Sequence, residues 1–71
     1  MPFVNIKLTG ENEALTVRQK QELIVEVTNL LATKYGKNAA TTVVIIEDIP
    51  LDNWGVGGKT IRQRRAEAAK K

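Results

Sequence analysis

The sequence predicts an α/β (α+β) subunit in which one long helix joins two parallel strands, followed by a short C-terminal hairpin and a basic tail. Three observations carry this expectation. The chain opens on a run that alternates apolar and polar residues, continues into a capped stretch of helical period, and then enters a β-branched run. Strand, helix and strand within about fifty residues make a βαβ unit, whose strands run parallel and whose crossover is right-handed. Residues 1–71 are expected to form a single domain, with 59–71 as its basic tail.

The first element is "PFVNIKLT". Pro2, Val4, Ile6 and Leu8 fall on one face, and Phe3, Asn5, Lys7 and Thr9 on the other. Period two marks a strand with one buried face, and it aims Pro2 to the apolar side. Gly10 ends the strand. "ENEAL" is a polar loop in which Glu11 and Glu13 read as solvated charge. Thr16 with Gln19 three residues later is a capping box, and Leu23, Ile24, Val27, Leu30 and Leu31 then recur at helical spacing. Gly36 is a C-terminal cap, so a helix is predicted over 16–35. "TTVVIIED" is continuously β-branched, which suits a strand buried on both faces, and Pro50 closes it. "DNWGVGG" reads as a turn or short hairpin, and "KTIRQRRAEAAKK" is helix-forming in composition with little apolar surface.

Such a chain has difficulty closing a core. A two-stranded sheet is marginal in water, and one helix covers only one of its faces. With 71 residues and neither cysteine nor histidine, disulfides, thiolate sites and imidazole ligands are all excluded. Association of subunits, sheet on sheet or edge to edge, is the remaining support.

Charge is unevenly spread. Residues 59–71 hold six basic residues and one acid, whereas 1–58 hold five basic residues and seven acids. An aromatic-free basic tail is a weak nucleic-acid signal, so no nucleic-acid partner is expected; the tail reads as solvated or packed on an acidic neighbouring subunit. No signal peptide and no bilayer-length apolar run is visible, which gives a cytoplasmic protein without a membrane partner as the expectation.

Most catalytic constellations fail. There is no Ser/His/Asp or Cys/His set, and Glu47 and Asp48 are strand neighbours that point to opposite faces. "GGKT" at 57–60 resembles the end of a phosphate-binding loop, but Asn53 stands where that pattern needs a glycine. The N-terminus remains. Once Met1 is removed, Pro2 is a free secondary amine. An α-amino group titrates near neutrality, burial and nearby positive charge lower its pKa, and a neutral amine can act as general acid–base catalyst. The ring also holds its nitrogen rigidly. Taken by itself, a proline at position two reads more simply as an ordinary way for a chain to start.

Together, "PFVNIKLTG", "TVRQKQELIVEVTNLLATKYG", "TTVVIIEDIP" and "NWGVGG" resemble the 4-oxalocrotonate (2-hydroxymuconate) tautomerase family from Pro2 to about Gly58. The resemblance implies a homo-hexamer, a trimer of dimers, with Pro2 as catalytic base. It implies enol–keto interconversion of small unsaturated 2-hydroxy or 2-keto acids, as in aromatic catabolism, with no cofactor and no metal. Trp54 stands where the family has a pocket aromatic, and the same resemblance makes Phe3 and Val56 substrate-binding residues. Two departures accompany it. The family's arginine after the first strand is Glu11 here, and its arginine early in the second strand is Val43. Arg62 is the first candidate for a replacement substrate-binding cation, with Lys59, Arg64, Arg65 and Lys7 behind it. An arginine-deficient, non-catalytic subunit in a mixed hexamer with a paralogue is the alternative.

Overall fold

A computed structural model describes residues 1–70. In chain order it has strand β1 (Phe3–Thr9), helix α1 (Val17–Tyr35), strand β2 (Val43–Ile49), the short strands β3 (Gly55–Val56) and β4 (Lys59–Thr60), and helix α2 (Ile61–Ala69). β1 and β2 pair in parallel, and β3 pairs with β4 as a small antiparallel hairpin. The predicted βαβ unit and hairpin are therefore present. The chain divides into two compact units: Met1–Lys7 with Leu15–Glu47, and Leu8–Ala14 with the chain from Asp48 onward.

In the first unit the strand parity holds. Val4, Ile6, Val44 and Ile46 are half-buried, while Phe3, Asn5, Lys7, Val43 and Ile45 are exposed. On α1 the half-buried stripe is Leu23, Val27 and Leu31, whereas Ile24 and Leu30 of the expected apolar set face outward. Asn5 donates to Glu47 and Lys7 pairs with it, so these three share the exposed face of the strand pair with Phe3, Val43 and Ile45. β2 thus departs from the expected strand buried on both faces: within one subunit only one face is covered, and Val43 remains 40% and Ile45 38% exposed. β2 also starts later than the β-branched run suggests. Asn38 accepts from the Ala40 N–H and the Thr42 hydroxyl, winding Ala39–Thr41 into a 3₁₀ turn before the strand begins.

Both ends of α1 follow the sequence signals. Gln19 N–H donates to Thr16 Oγ1 at 3.1 Å, and Thr16 N–H donates back to Gln19 Oε1 at 2.9 Å. Gly36 closes the helix in the left-handed region at φ 65°, where a side chain would be strained.

In the second unit Gly10 is the one fully buried residue among those described. Its N–H donates to the Ile49 carbonyl at 2.8 Å, and a Cβ there would stand 3.2 Å from the Asp48 Cβ, so a larger residue would require the end of β2 to give slightly. No apolar side chain among the described residues is fully buried. No helix among them is long and apolar enough to cross a membrane.

Thr16→Ala removes the reciprocal cap of α1 and should destabilise the protein by about 1 kcal/mol. Urea unfolding at fixed protein concentration checks this: the midpoint should fall with little change in slope.

Candidate active site

Pro2 precedes β1 in the first unit and is half-buried. Its carbonyl accepts from the Val43 N–H at 3.0 Å, which fixes the residue at the mouth of the strand pair. Met1 in front of it is 94% exposed. Phe3, the next residue, presents a ring that is 65% exposed.

The other predicted site residues belong to the second unit. Trp54 is half-buried at the foot of the hairpin, and its carbonyl accepts from the Ile61 N–H at 2.8 Å, tying the start of β3 to the first turn of α2. Val56 lies in β3 with an exposed side chain. The hairpin turn is Gly57–Gly58, with φ 62° and 87°, the two consecutive positive values that a two-residue turn of this hand requires.

α2 forms within the stretch whose composition is helix-forming. Thr60 caps it, accepting from the Gln63 N–H while Gln63 accepts from the Thr60 N–H. This is the same T-x-x-Q box as at Thr16, and that pattern was available in the sequence. Its side chains are tied back to the chain by acids. Arg62 Nε donates to Asp52 at 2.7 Å, and Arg62 Nη2 donates to both carboxylate oxygens of Glu11 at 2.7 Å. Arg65 pairs with Glu13 at 2.8 Å, and Lys59 with Glu67. The reading of Glu11 and Glu13 as solvated charge is corrected accordingly. These acids bind the tail of their own chain.

Glu11 is the centre of this arrangement. It adopts φ 62°, which is unfavourable for a side chain of its size, and it also accepts from the Leu51 N–H at 2.7 Å. Three hydrogen bonds to one carboxylate offset that local strain. The Arg62 guanidinium, and secondly the Leu51 N–H, hold the Glu11 carboxyl below its usual value. Arg65, and secondly the Thr9 hydroxyl, do the same for Glu13. Glu11 and then Asp52 push Arg62 upward, so it stays charged. Arg62, the first candidate for a substrate cation, is therefore occupied by two carboxylates. A concavity of about 200 Å³ lined by Gly10, Asn12, Glu13, Leu51 and Arg65 is bordered by the Glu13–Arg65 pair, so its one cation is matched as well. No group of acids, cysteines or histidines able to hold a metal occurs among the described residues.

Comparison with known proteins gives a consistent result. The family described as Tautomerase enzyme matches residues 2–64. A "Probable tautomerase K2" of Dickeya dadantii is 51% identical, covering 97% of this chain and all of that protein. A 2-hydroxymuconate tautomerase of Comamonas testosteroni is 36% identical over 89% of this chain and 95% of its own. The crystal structure of DmpI from Helicobacter pylori superposes with a TM-score of 0.81 at 43% identity, covering 92% of this chain and 97% of that one.

Because the Glu11 and Glu13 pKa values are lowered on folding, the stability from the ties to α2 is fully present above the ordinary carboxylate value of 4.5 and is lost as the pH falls through the lowered values beneath it. Amide exchange of α2, expressed as protection factors, should therefore drop in acid and at high salt. Glu11→Gln should lower the protection already at neutral pH. Equal α2 protection in Glu11→Gln and the parent, from neutral pH into the carboxylate range, would show that the tie does not hold the helix.

Proposed function

The chain belongs to the tautomerase family of enzymes, and from that membership we propose that it is an acid–base isomerase whose working group is the Pro2 nitrogen, exposed by loss of Met1. The observation that carries the reading is the coincidence of Pro2 with the start both of the strand pair and of the family match. No histidine or cysteine competes for the role in the sequence.

In the proposed reaction the neutral secondary amine takes the proton from the 2-hydroxyl of a conjugated enol acid. The enol oxygen becomes the 2-keto oxygen, the π electrons shift along the diene, and the protonated amine returns the proton to carbon. No atom is gained or lost, and the amine is restored. A group that both takes and returns the proton works best with a pKa near the operating pH. The Val43 N–H bond to the Pro2 carbonyl supports a fixed direction for the nitrogen. The substrate class, unsaturated 2-hydroxy acids of the 2-hydroxymuconate type, is supported by the relative of that name. Trp54, Phe3 and Val56 are assigned to contact the hydrocarbon part of such a substrate, Trp54 on the strength of its place in "NWGVGG". Arg62 is assigned instead to holding α2, because Glu11 and Asp52 already take its Nε and Nη2 donors.

A homo-hexamer is the proposed working form. It is supported by the uncovered strand face of Phe3, Val43 and Ile45 and by the lack of a fully buried apolar side chain among the described residues.

Pro2→Ala should lower enol–keto turnover on the order of a hundredfold or more, the usual contribution of a positioned acid–base group. Activity across preparations should track the fraction whose intact mass lacks Met1. Parent-level turnover in Pro2→Ala, or in protein that retains Met1, overturns the assignment.

A further inference from the structure

Within the second unit, the Glu11 carboxylate holds both of the segments that flank Trp54. On the N-terminal side it accepts from the Leu51 N–H at 2.7 Å. Leu51 opens the 3₁₀ turn Leu51–Asn53, which ends on Trp54 and which the Asn53 N–H closes onto the Pro50 carbonyl at 2.8 Å. On the C-terminal side Glu11 accepts from Arg62 through both oxygens. Arg62 follows Ile61, whose N–H donates to the Trp54 carbonyl at 2.8 Å.

Arg62 completes the circuit, because its Nε donates to Asp52 in that same turn at 2.7 Å. Trp54 is therefore framed by two segments that meet at one carboxylate. Its backbone is extended, at φ −107° and ψ 105°, and its side chain is half-buried. Among the described residues none hydrogen-bonds the indole, so packing and the backbone frame set the direction of the ring. Glu11 is also the one described non-glycine residue at positive φ, and strain of that kind persists where the surroundings over-determine a residue.

We infer that Glu11 is a positioning residue for Trp54, acting through Leu51 and Arg62 to fix the turn and the helix start that frame the aromatic ring. The consequence for turnover rests on the assignment of Trp54 to the hydrocarbon part of the substrate. An apolar contact of that kind is made alike before and during proton transfer, so a misplaced Trp54 raises KM and leaves kcat nearly unchanged. Glu13 is the comparison acid. It ties α2 through Arg65 but makes no hydrogen bond to the Leu51–Asn53 turn among the described residues.

Trp54 is the one tryptophan in the sequence, so indole emission reports it alone. Glu11→Gly removes the carboxylate while easing the left-handed backbone, and Glu11→Gln keeps an acceptor for Leu51. Glu11→Gly should shift the Trp54 emission to the red and increase its quenching by acrylamide. Glu11→Gln should do so less, and Glu13→Gln should match the parent. If Glu11→Gly loses the far-UV circular dichroism of the parent, Glu11→Gln carries the same tests. With 2-hydroxymuconate, Glu11→Gly should raise KM about tenfold, the usual scale for losing a charge-assisted hydrogen bond, with kcat little changed. The same substitution in Trp54→Ala protein should raise KM further by less than about twofold, because the two residues act as one. Unchanged emission and quenching in Glu11→Gly, an equal change in Glu13→Gln, or an undiminished KM effect in Trp54→Ala protein overturns the inference. A shifted emission with an unshifted KM overturns the role of Glu11 in the reaction together with the assignment of Trp54, and leaves the Pro2 reading intact. If the parent turns over no faster than Pro2→Ala, the reading of Pro2 fails, and the emission series alone decides whether Glu11 positions Trp54.

Discussion

One helix covers one face of a two-stranded sheet, and most features of this molecule follow from that constraint. α1 presents Leu23, Val27 and Leu31, and the strands present Val4, Ile6, Val44 and Ile46, all half-buried rather than buried. The opposite strand face is left with Phe3, Val43 and Ile45 uncovered. Apolar burial supplies the main driving force for folding, and a strand pair covered on one face only forgoes part of it. The exposed face is not uniformly greasy, however. Asn5, Lys7 and Glu47 form a small bonded cluster on it. A polar cluster beside apolar side chains fixes the register in which a second surface can be laid on it, because any pairing that strips those groups of partners is penalised.

The second unit meets the same shortage by a different means. α2 has one large apolar side chain, the half-buried Ile61, and three exposed alanines, so hydrophobic docking contributes little to holding it. Ion pairs hold it instead, through Arg62 to Glu11 and Asp52 and through Arg65 to Glu13. Exposed pairs are individually weak, typically below about 1 kcal/mol. Here they share a guanidinium and a loop, with a backbone N–H from Leu51 joining at Glu11. A network of this type loses less side-chain entropy per bond than the same number of isolated pairs, since one ordered Arg62 serves two acids. The arrangement also offsets the left-handed backbone of Glu11, whose carboxylate meets Arg62 through both oxygens.

The sequence displays those parts of this architecture that repeat at a period or sit next to one another. Alternation over "VNIKL", the Thr16–Gln19 box, Gly36 and the glycine turn are all local, and each falls where the pattern puts it. The Thr60–Gln63 box is equally local, and the same T-x-x-Q reading identifies it. The burial of β2 is different. A β-branched run says that a strand is apolar on both faces but not which covering layer belongs to the same chain. The acid–arginine ties lie further still from view. Glu11 and Arg62 are 51 residues apart, neither sits in a periodic pattern, and charge in a loop has the same local appearance whether water or an arginine meets it.

An arginine counts toward substrate binding according to the donors it has left, not according to its presence in the right region. Arg62 has the more central position, yet two carboxylates face its single charge, so an incoming substrate carboxylate there would meet net negative charge. Arg64, two residues on in the same helix, projects from a different face and meets a glycine turn rather than an acid. Glu11 therefore does more than add a negative charge to its loop. It also takes up a cation of α2, so that Arg62 has no uncompensated charge to offer an incoming anion.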